Sequence, residues 1–183
     1  MKNQGKDGDS SPAVKSKQLL LVRHAKSDWH SDAPSDFERP LNERGKRDAP
    51  EMAQRLLNKK IKIDAFISSP AKRAKKTASI FAKEYNVDKD NIILEERLYE
   101  AGAETFLKVI SSTNDKFNTI AVFSHNPGIT DFANGLTDVQ IDNIPTCGIF
   151  AVKINTSQWS DFKDAEKVFW FADFPKAEHG LAD

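Results

Sequence analysis

Leu19-Leu20-Leu21-Val22-Arg23-His24 is an unbroken aliphatic run that stops abruptly at an arginine and a histidine. A run with no polar alternation reads as a strand buried on both faces, the kind found inside α/β sheets. Burying an unpaired cation costs several kcal/mol, on the order of 3 or more, so the Arg23-His24 pair marks where the strand leaves the core. Ligands of α/β proteins sit at the carboxyl ends of strands. The pair therefore reads either as an anion site, held by Arg23 and attacked by His24, or as an ordinary basic strand end.

Two further segments repeat the arrangement. Ile63-Asp64-Ala65-Phe66-Ile67-Ser68-Ser69-Pro70-Ala71-Lys72-Arg73-Ala74 is a short apolar strand followed by a helix start, with Pro70 expected at the first helical position and Arg73 in the first turn. Backbone N–H groups without intrahelical partners lie in that turn and favour an anion. Ile120-Ala121-Val122-Phe123-Ser124-His125-Asn126-Pro127-Gly128 is again an apolar strand ending in a histidine, with Asn126 expected to cap a helix opened by Pro127. Three strand ends carrying Arg-His, Arg and His make coincidence the weaker explanation.

Between and beyond these segments strand and helix signals alternate. Residues 25–40 form a long polar loop, a length usually reserved for function. Asn42 is expected to cap a helix reaching about residue 60, with Met52, Ala53, Leu56 and Leu57 on its apolar face and Pro50 interrupting one hydrogen bond. Ala74, Ala78, Phe81 and Tyr85 give the next helix its buried stripe, and Phe106, Leu107 and Ile110 that of a third. Short strands are expected over 92–94, 148–154 and 168–171. The sum is an α/β protein, a three-layer α/β/α sandwich.

Composition fits one compact domain over residues 17–183, preceded by a polar tail over 1–16 that buries too little to offset its ordering entropy. Lys+Arg and Asp+Glu are both 27, which gives no steering towards nucleic acid or an anionic membrane. The tail lacks a secretory apolar core and no run reaches membrane-spanning length, so a cytoplasmic protein is expected. Cys147 is the single cysteine and reads as a packed residue, not a nucleophile. His30 and His179 form no compact ligand cluster, so no metal is expected; His30 reads as a pocket-rim residue and His179 as part of the tail.

Val22-Arg23-His24-Ala25-Lys26-Ser27, Pro40-Leu41-Asn42-Glu43-Arg44-Gly45, Ser68-Ser69-Pro70 with Arg73 and Thr77, Leu98-Tyr99-Glu100 and Ser124-His125-Asn126-Pro127-Gly128 together resemble the histidine phosphatase superfamily, most closely its small SixA-type phosphohistidine phosphatases. The likeness runs through residues 18–155 in the family's order, with Ala25 standing where many members have glycine. It implies a mixed, mostly parallel sheet of the phosphoglycerate mutase-like kind. It also implies a cofactor-independent phosphatase in which His24 becomes phosphohistidine while Arg23, Arg73 and His125 build the phosphate pocket.

Phosphoryl transfer asks for those residue types. Forked arginine donors stay charged at any working pH and suit the equatorial oxygens. Flanking arginines favour a neutral, nucleophilic His24. Regular alternation along a strand points Arg23 and His24 to opposite faces, so sharing a site is expected to require a departure from strand geometry. Glu100 aligns with the family's acidic residue and is the first choice of general acid, or else a solvated loop carboxylate. Asp28, Asp32 and Asp36 are second choices and otherwise surface charges. Lys26, Arg39 and Asn126 are weaker candidates for substrate contact.

Three functions remain open at this point. They are a phosphatase acting on protein phosphohistidine, a small-molecule phosphomonoesterase or mutase, and a phospho-partner binding module without turnover. The expected partner is a phosphorylated protein or a small phosphomonoester, and the expected state a monomer. Only 23 residues separate Glu100 from Ser124, too few to roof the pocket, so a shallow, open site is expected.

Overall fold

The computed structural model describes residues 16–175. Apart from Ser16, the expected tail lies outside the described residues, as does His179. One sheet of six strands forms the middle layer: β1 (Lys17–Arg23), β2 (Ala65–Ser68), β3 (Ile93–Leu94), β4 (Thr119–Ser124), β5 (Ile149–Ile154) and β6 (Lys167–Asp173). Their spatial order is β3-β2-β4-β1-β5-β6. The pairs β1–β4, β2–β4 and β2–β3 are parallel, whereas β1–β5 and β5–β6 are antiparallel. The sheet is therefore mixed, with its parallel half carrying the motif-bearing strand ends.

β1 lies inside the sheet between β4 and β5, which explains its unbroken aliphatic run: Leu19, Leu20, Leu21 and Val22 are all fully buried. Alternation still divides the side chains between the two faces. Leu20 and Val22 pack with Met52, Leu56, Phe81 and Phe123 beneath α1 (Glu43–Asn58) and α2 (Lys72–Glu84). Leu19 and Leu21 pack with Phe106, Ile110, Ile129, Phe132 and Trp159 beneath α3 (Ala103–Ser111) and α4 (Gly128–Asn134). Two helical layers thus cover a central sheet, as the periodicities imply. Among the described residues no helix is long and apolar enough to cross a membrane.

Asn42 caps α1, its side chain accepting from the Gly45 amide at 2.9 Å, and the helix runs as one element through Pro50. Both proline-opened helices begin later than the sequence suggests. α2 starts at Lys72, so Pro70 lies in the bend before it, and α4 starts at Gly128 behind Pro127. Asn126 does not cap α4. Its amide instead accepts from the Thr130 hydroxyl at 2.7 Å and donates to the Ile144 carbonyl at 3.3 Å and to Asn143, tying the helix to the segment before β5. In α3, Val109 is buried, while Leu107 only half covers its face.

Two glycines are fixed by close backbone approach. A Cβ on Gly45 would lie 2.2 Å from the Lys26 carbonyl oxygen, and one on Gly128 would lie 1.8 Å from that of Ala101. Each therefore lets a helix start press against a pocket-forming segment.

Candidate active site

The carboxyl ends of β1, β2 and β4 lie side by side, with Arg23 in register with Ser124 and Ser68 with Phe123. A cavity of about 560 Å³ opens above them, lined by Arg23, His24, Arg73 and His125 among others. Four residues from three separate strand ends thus face one space. Arg73 is in the first turn of α2, as its sequence position implies.

His24 lies at the cavity floor, 7% exposed. Its Nδ1 is 2.8 Å from the Ala25 carbonyl oxygen, which can only accept, so Nδ1 carries the hydrogen. Nε2 is left with its lone pair, towards which Arg73 Nε donates at 3.3 Å. Burial foremost, then the neighbouring His125, Arg73 and Arg23, push the imidazole's pKa down to about 3 against the opposing Ala25 hydrogen bond. The ring is neutral at physiological pH. Flanking arginines contribute to this as expected, but desolvation is the larger cause. Ala25, small and fully buried, donates its amide to Thr77 Oγ1 at 3.0 Å, which explains how the Thr77 position of α2 serves the site.

His125 stands beside it, ring centroids 5.1 Å apart. Its Nε2 is 2.8 Å from Ser69 Oγ, and burial, then Arg73, lower its pKa to about 3 as well. Its Nδ1 and the Nε of Arg23 are buried without a partner. Arg23 reaches the other way, donating from Nη1 to the Ile144 carbonyl at 2.8 Å and to Asn143 Oδ1 at 3.2 Å.

Arg23 is the last residue of β1 and His24 lies just beyond it. One is held from the segment before β5, the other by α2. Strand geometry ends here, as expected: β1 stops at Arg23, and the successive carbonyls of Arg23 and His24, which a regular strand points in opposite directions, both accept from one amide, that of Cys147. His24 still continues the ladder, its amide donating to the Ser124 carbonyl at 3.0 Å. Cys147 closes this end from behind: its left-handed backbone (φ 62°) lets its amide donate to the Arg23 and His24 carbonyls, both at 3.1 Å. Its thiol is buried and shifted far upward by desolvation, consistent with a packed residue.

Asp36 departs most from the sequence reading. It is not a free surface charge. Its carboxylate accepts from Arg39 Nη2 at 2.6 Å, Arg73 Nη2 at 2.8 Å and the Tyr99 hydroxyl at 3.1 Å, and its carbonyl accepts from Arg73 Nη1 at 2.6 Å. Desolvation raises its pKa, but Arg39 and Arg73 outweigh this and bring it down to about 2. A carboxylate so held is a poor proton donor near neutrality, which argues against Asp36 as general acid.

Arg39, itself buried, also donates to Ser27 Oγ at 2.6 Å and lies against the ring of Trp29 at 3.6 Å. The loop over residues 25–40 thus forms a wall of the cavity. Lys26 and Asn126 line the cavity, whereas His30 is exposed and does not. Glu100 lines it too, exposed and with a left-handed backbone (φ 55°). Asp36, Tyr99, Trp29 and Ser69 are the contributors that sequence reasoning undervalued. Among the described residues no group of three or more His, Cys, Asp or Glu side chains can hold a metal ion.

Comparison with known proteins fits this geometry. A family model described as the histidine phosphatase superfamily (branch 1) matches residues 19–106. An uncharacterised protein of Mycobacterium leprae is 30% identical over 161 residues, spanning 80% of this chain and 96% of that one. Two solved structures share the fold. The putative phosphohistidine phosphatase SixA from Agrobacterium tumefaciens superposes with TM-score 0.73 at 23% identity, over 87% of this chain and 98% of that one. A mycobacterial glucosyl-3-phosphoglycerate phosphatase superposes with TM-score 0.66 at 12% identity, over 87% and 100%.

Proposed function

The chain belongs to the histidine phosphatase superfamily, and from that premise we propose that it is a phosphohistidine phosphatase, acting on a phosphorylated histidine side chain of a protein through a covalent intermediate on His24. The observation that carries this reading is the tautomer of His24. A neutral ring whose Nδ1–H is fixed to the Ala25 carbonyl keeps a lone pair on Nε2, which becomes available to phosphorus once Arg73 Nε turns from it to the phosphoryl group.

In the first step Nε2 bonds to phosphorus as the bond from phosphorus to the substrate's ring nitrogen breaks. Arg73, Arg23 and His125 donate to the three equatorial oxygens, where charge is spread in the transition state. The departing imidazole leaves protonated, a lesser demand than an alkoxide makes. We assign the proton transfer between that group and solvent to Glu100, which is exposed and lines the cavity. In the second step water attacks phospho-His24. A P–O bond forms, the P–Nε2 bond breaks, and the proton lost by water goes to Glu100 or solvent. Inorganic phosphate leaves and the ring returns to its starting tautomer.

The likeness to SixA-type structures supports phosphohistidine as the substrate. One observation favours a second reading, hydrolysis of a small phosphomonoester: a cavity of about 560 Å³ lies within the range that encloses small ligands. The test is to incubate wild type with a phosphohistidine protein, sugar phosphates and phosphoanhydrides at matched pH. Turnover should be highest on phosphohistidine, with an acid-labile, base-stable phosphoryl label trapped on the enzyme. His24→Ala should fold normally and lose both turnover and label. Full activity in folded His24→Ala protein would sink the mechanism, and preference for one phosphomonoester with no action on phosphohistidine would establish the second reading.

A further inference from the structure

Trp29 is the most exposed large hydrophobic side chain among the described residues, at 71%. A single exposed indole is unremarkable on most surfaces. This one lines the active-site cavity, and its ring is laid against the guanidinium of Arg39 at 3.6 Å. Arg39 is in turn pinned by Ser27 and Asp36, and Asp36 is bonded to Arg73, which touches His24. One continuous wall therefore runs from the buried nucleophile to the indole. A ring fixed in this way on one face presents its other face with little ordering cost.

In-line displacement decides what meets that face. With Nε2 at the buried floor, the atom that leaves phosphorus lies on the far side of the phosphoryl group, towards the opening. We propose that Trp29, backed by Arg39, is a leaving-group platform that selects planar aromatic rings, the imidazole of a phosphorylated histidine being its natural occupant. Stacking of a flat ring on the indole contributes binding that an alkyl or sugar leaving group does not obtain. This deepens the function proposed above and rests on it for the identity of the ring, but the platform itself is testable without phosphohistidine.

The test compares binding of phenylphosphonate and methylphosphonate to the full chain by calorimetry, alongside kcat/KM for phenyl phosphate and glycerol phosphate. Wild type should favour the aryl member of each pair. Trp29→Leu keeps an apolar cover on Arg39 without a π face, and should shrink both aryl-to-alkyl ratios by roughly three- to tenfold. Trp29→Phe should restore most of the difference. Ratios unchanged in a folded Trp29→Leu protein overturn the inference. Failure of the phosphohistidine reading looks different: aryl preference persists and falls with Trp29, while protein phosphohistidine is not turned over.

Discussion

Replacing Asp36 by asparagine keeps the shape of the side chain and removes the carboxylate charge that Arg73 and Arg39 share. The strength of that sharing can be worked from the acid's own titration. Against the upward push of desolvation, the two arginines bring its pKa from 3.8 to about 2. A shift of that size corresponds to about 2.4 kcal/mol at about 1.36 kcal/mol per unit. The carboxylate is 47% exposed, so solvent screening reduces its worth to about 1 kcal/mol. A phosphoryl group entering the cavity competes with Asp36 for the same Arg73 nitrogens. Removing the competitor should therefore tighten inhibition by inorganic phosphate about fivefold, the equivalent of about 1 kcal/mol. Turnover should move the other way. Nη2 of Arg73 loses the ion that orients it, and a misaimed donor costs roughly tenfold in kcat. The stability consequence has a definite sign. A depressed carboxylate stabilises the fold above its unfolded value of 3.8, and that contribution disappears as pH falls towards about 2. Asp36→Asn should accordingly lack this part of the wild-type acid limb. Steady-state inhibition by phosphate and acid titrations followed by circular dichroism read both effects. Phosphate binding that weakens or stays the same in a folded variant would refute the competition.

Burial of the two histidines and the close approach at Gly128 have consequences of their own. His24 and His125 both titrate near about 3, so in a kcat/KM profile corrected for substrate ionisation the enzyme's acid limb should lie well below the ordinary imidazole value of 6.5; an enzyme inflection at 6.5 that vanishes in His125→Asn would show that burial does not hold these rings neutral. Gly128→Ala puts a methyl group 1.8 Å from the Ala101 carbonyl oxygen, backbone against backbone, and should cost about 1–3 kcal/mol, or roughly 3–10 °C in Tm; an unchanged thermal melt would mean that α4 and the 100–102 segment separate freely.

What the sequence made legible was local. The aliphatic run of β1 announces burial on both faces because no residue in it prefers water, and Asn42 announces α1 because a capping side chain acts within three residues. Strand ends bearing Arg23, His24, Arg73 and His125 could be read for the same reason. The misplaced helix starts show the limit of local rules: a proline suits a first helical turn, yet Pro70 lies two residues and Pro127 one residue ahead of its helix, where the chain turns off its strand. Asp36 was only partly readable: Arg39, three residues on, sets it apart from Asp28 and Asp32, but its partners Arg73 and Tyr99 lie 37 and 63 residues away. The acceptors of Arg23, Asn143 and the Ile144 carbonyl, are more distant still, and a carbonyl leaves no mark in a side-chain pattern.

The end of β1 accounts for how the site is built. Arg23, the last residue of the strand, and His24, just beyond it, have side chains braced from different segments: Arg23 from Asn143 and Ile144, His24 from Arg73 on α2 and, through Ala25, Thr77. A phosphoryl group bound as proposed would be held between these two supports, with the three parallel strand ends, in register, setting the spacing. Donors fixed in this way by independent supports need little reorganisation when charge develops on the phosphoryl oxygens, which is where preorganised electrostatics lowers a barrier most. Recognition of the leaving group, as proposed, falls to the loop over residues 25–40, which carries Trp29 and Arg39. That loop joins the end of β1 to α1 on one side of the cavity, and through Asp36 it is tied to Arg73, so the wall and the proposed phosphate donors are coupled.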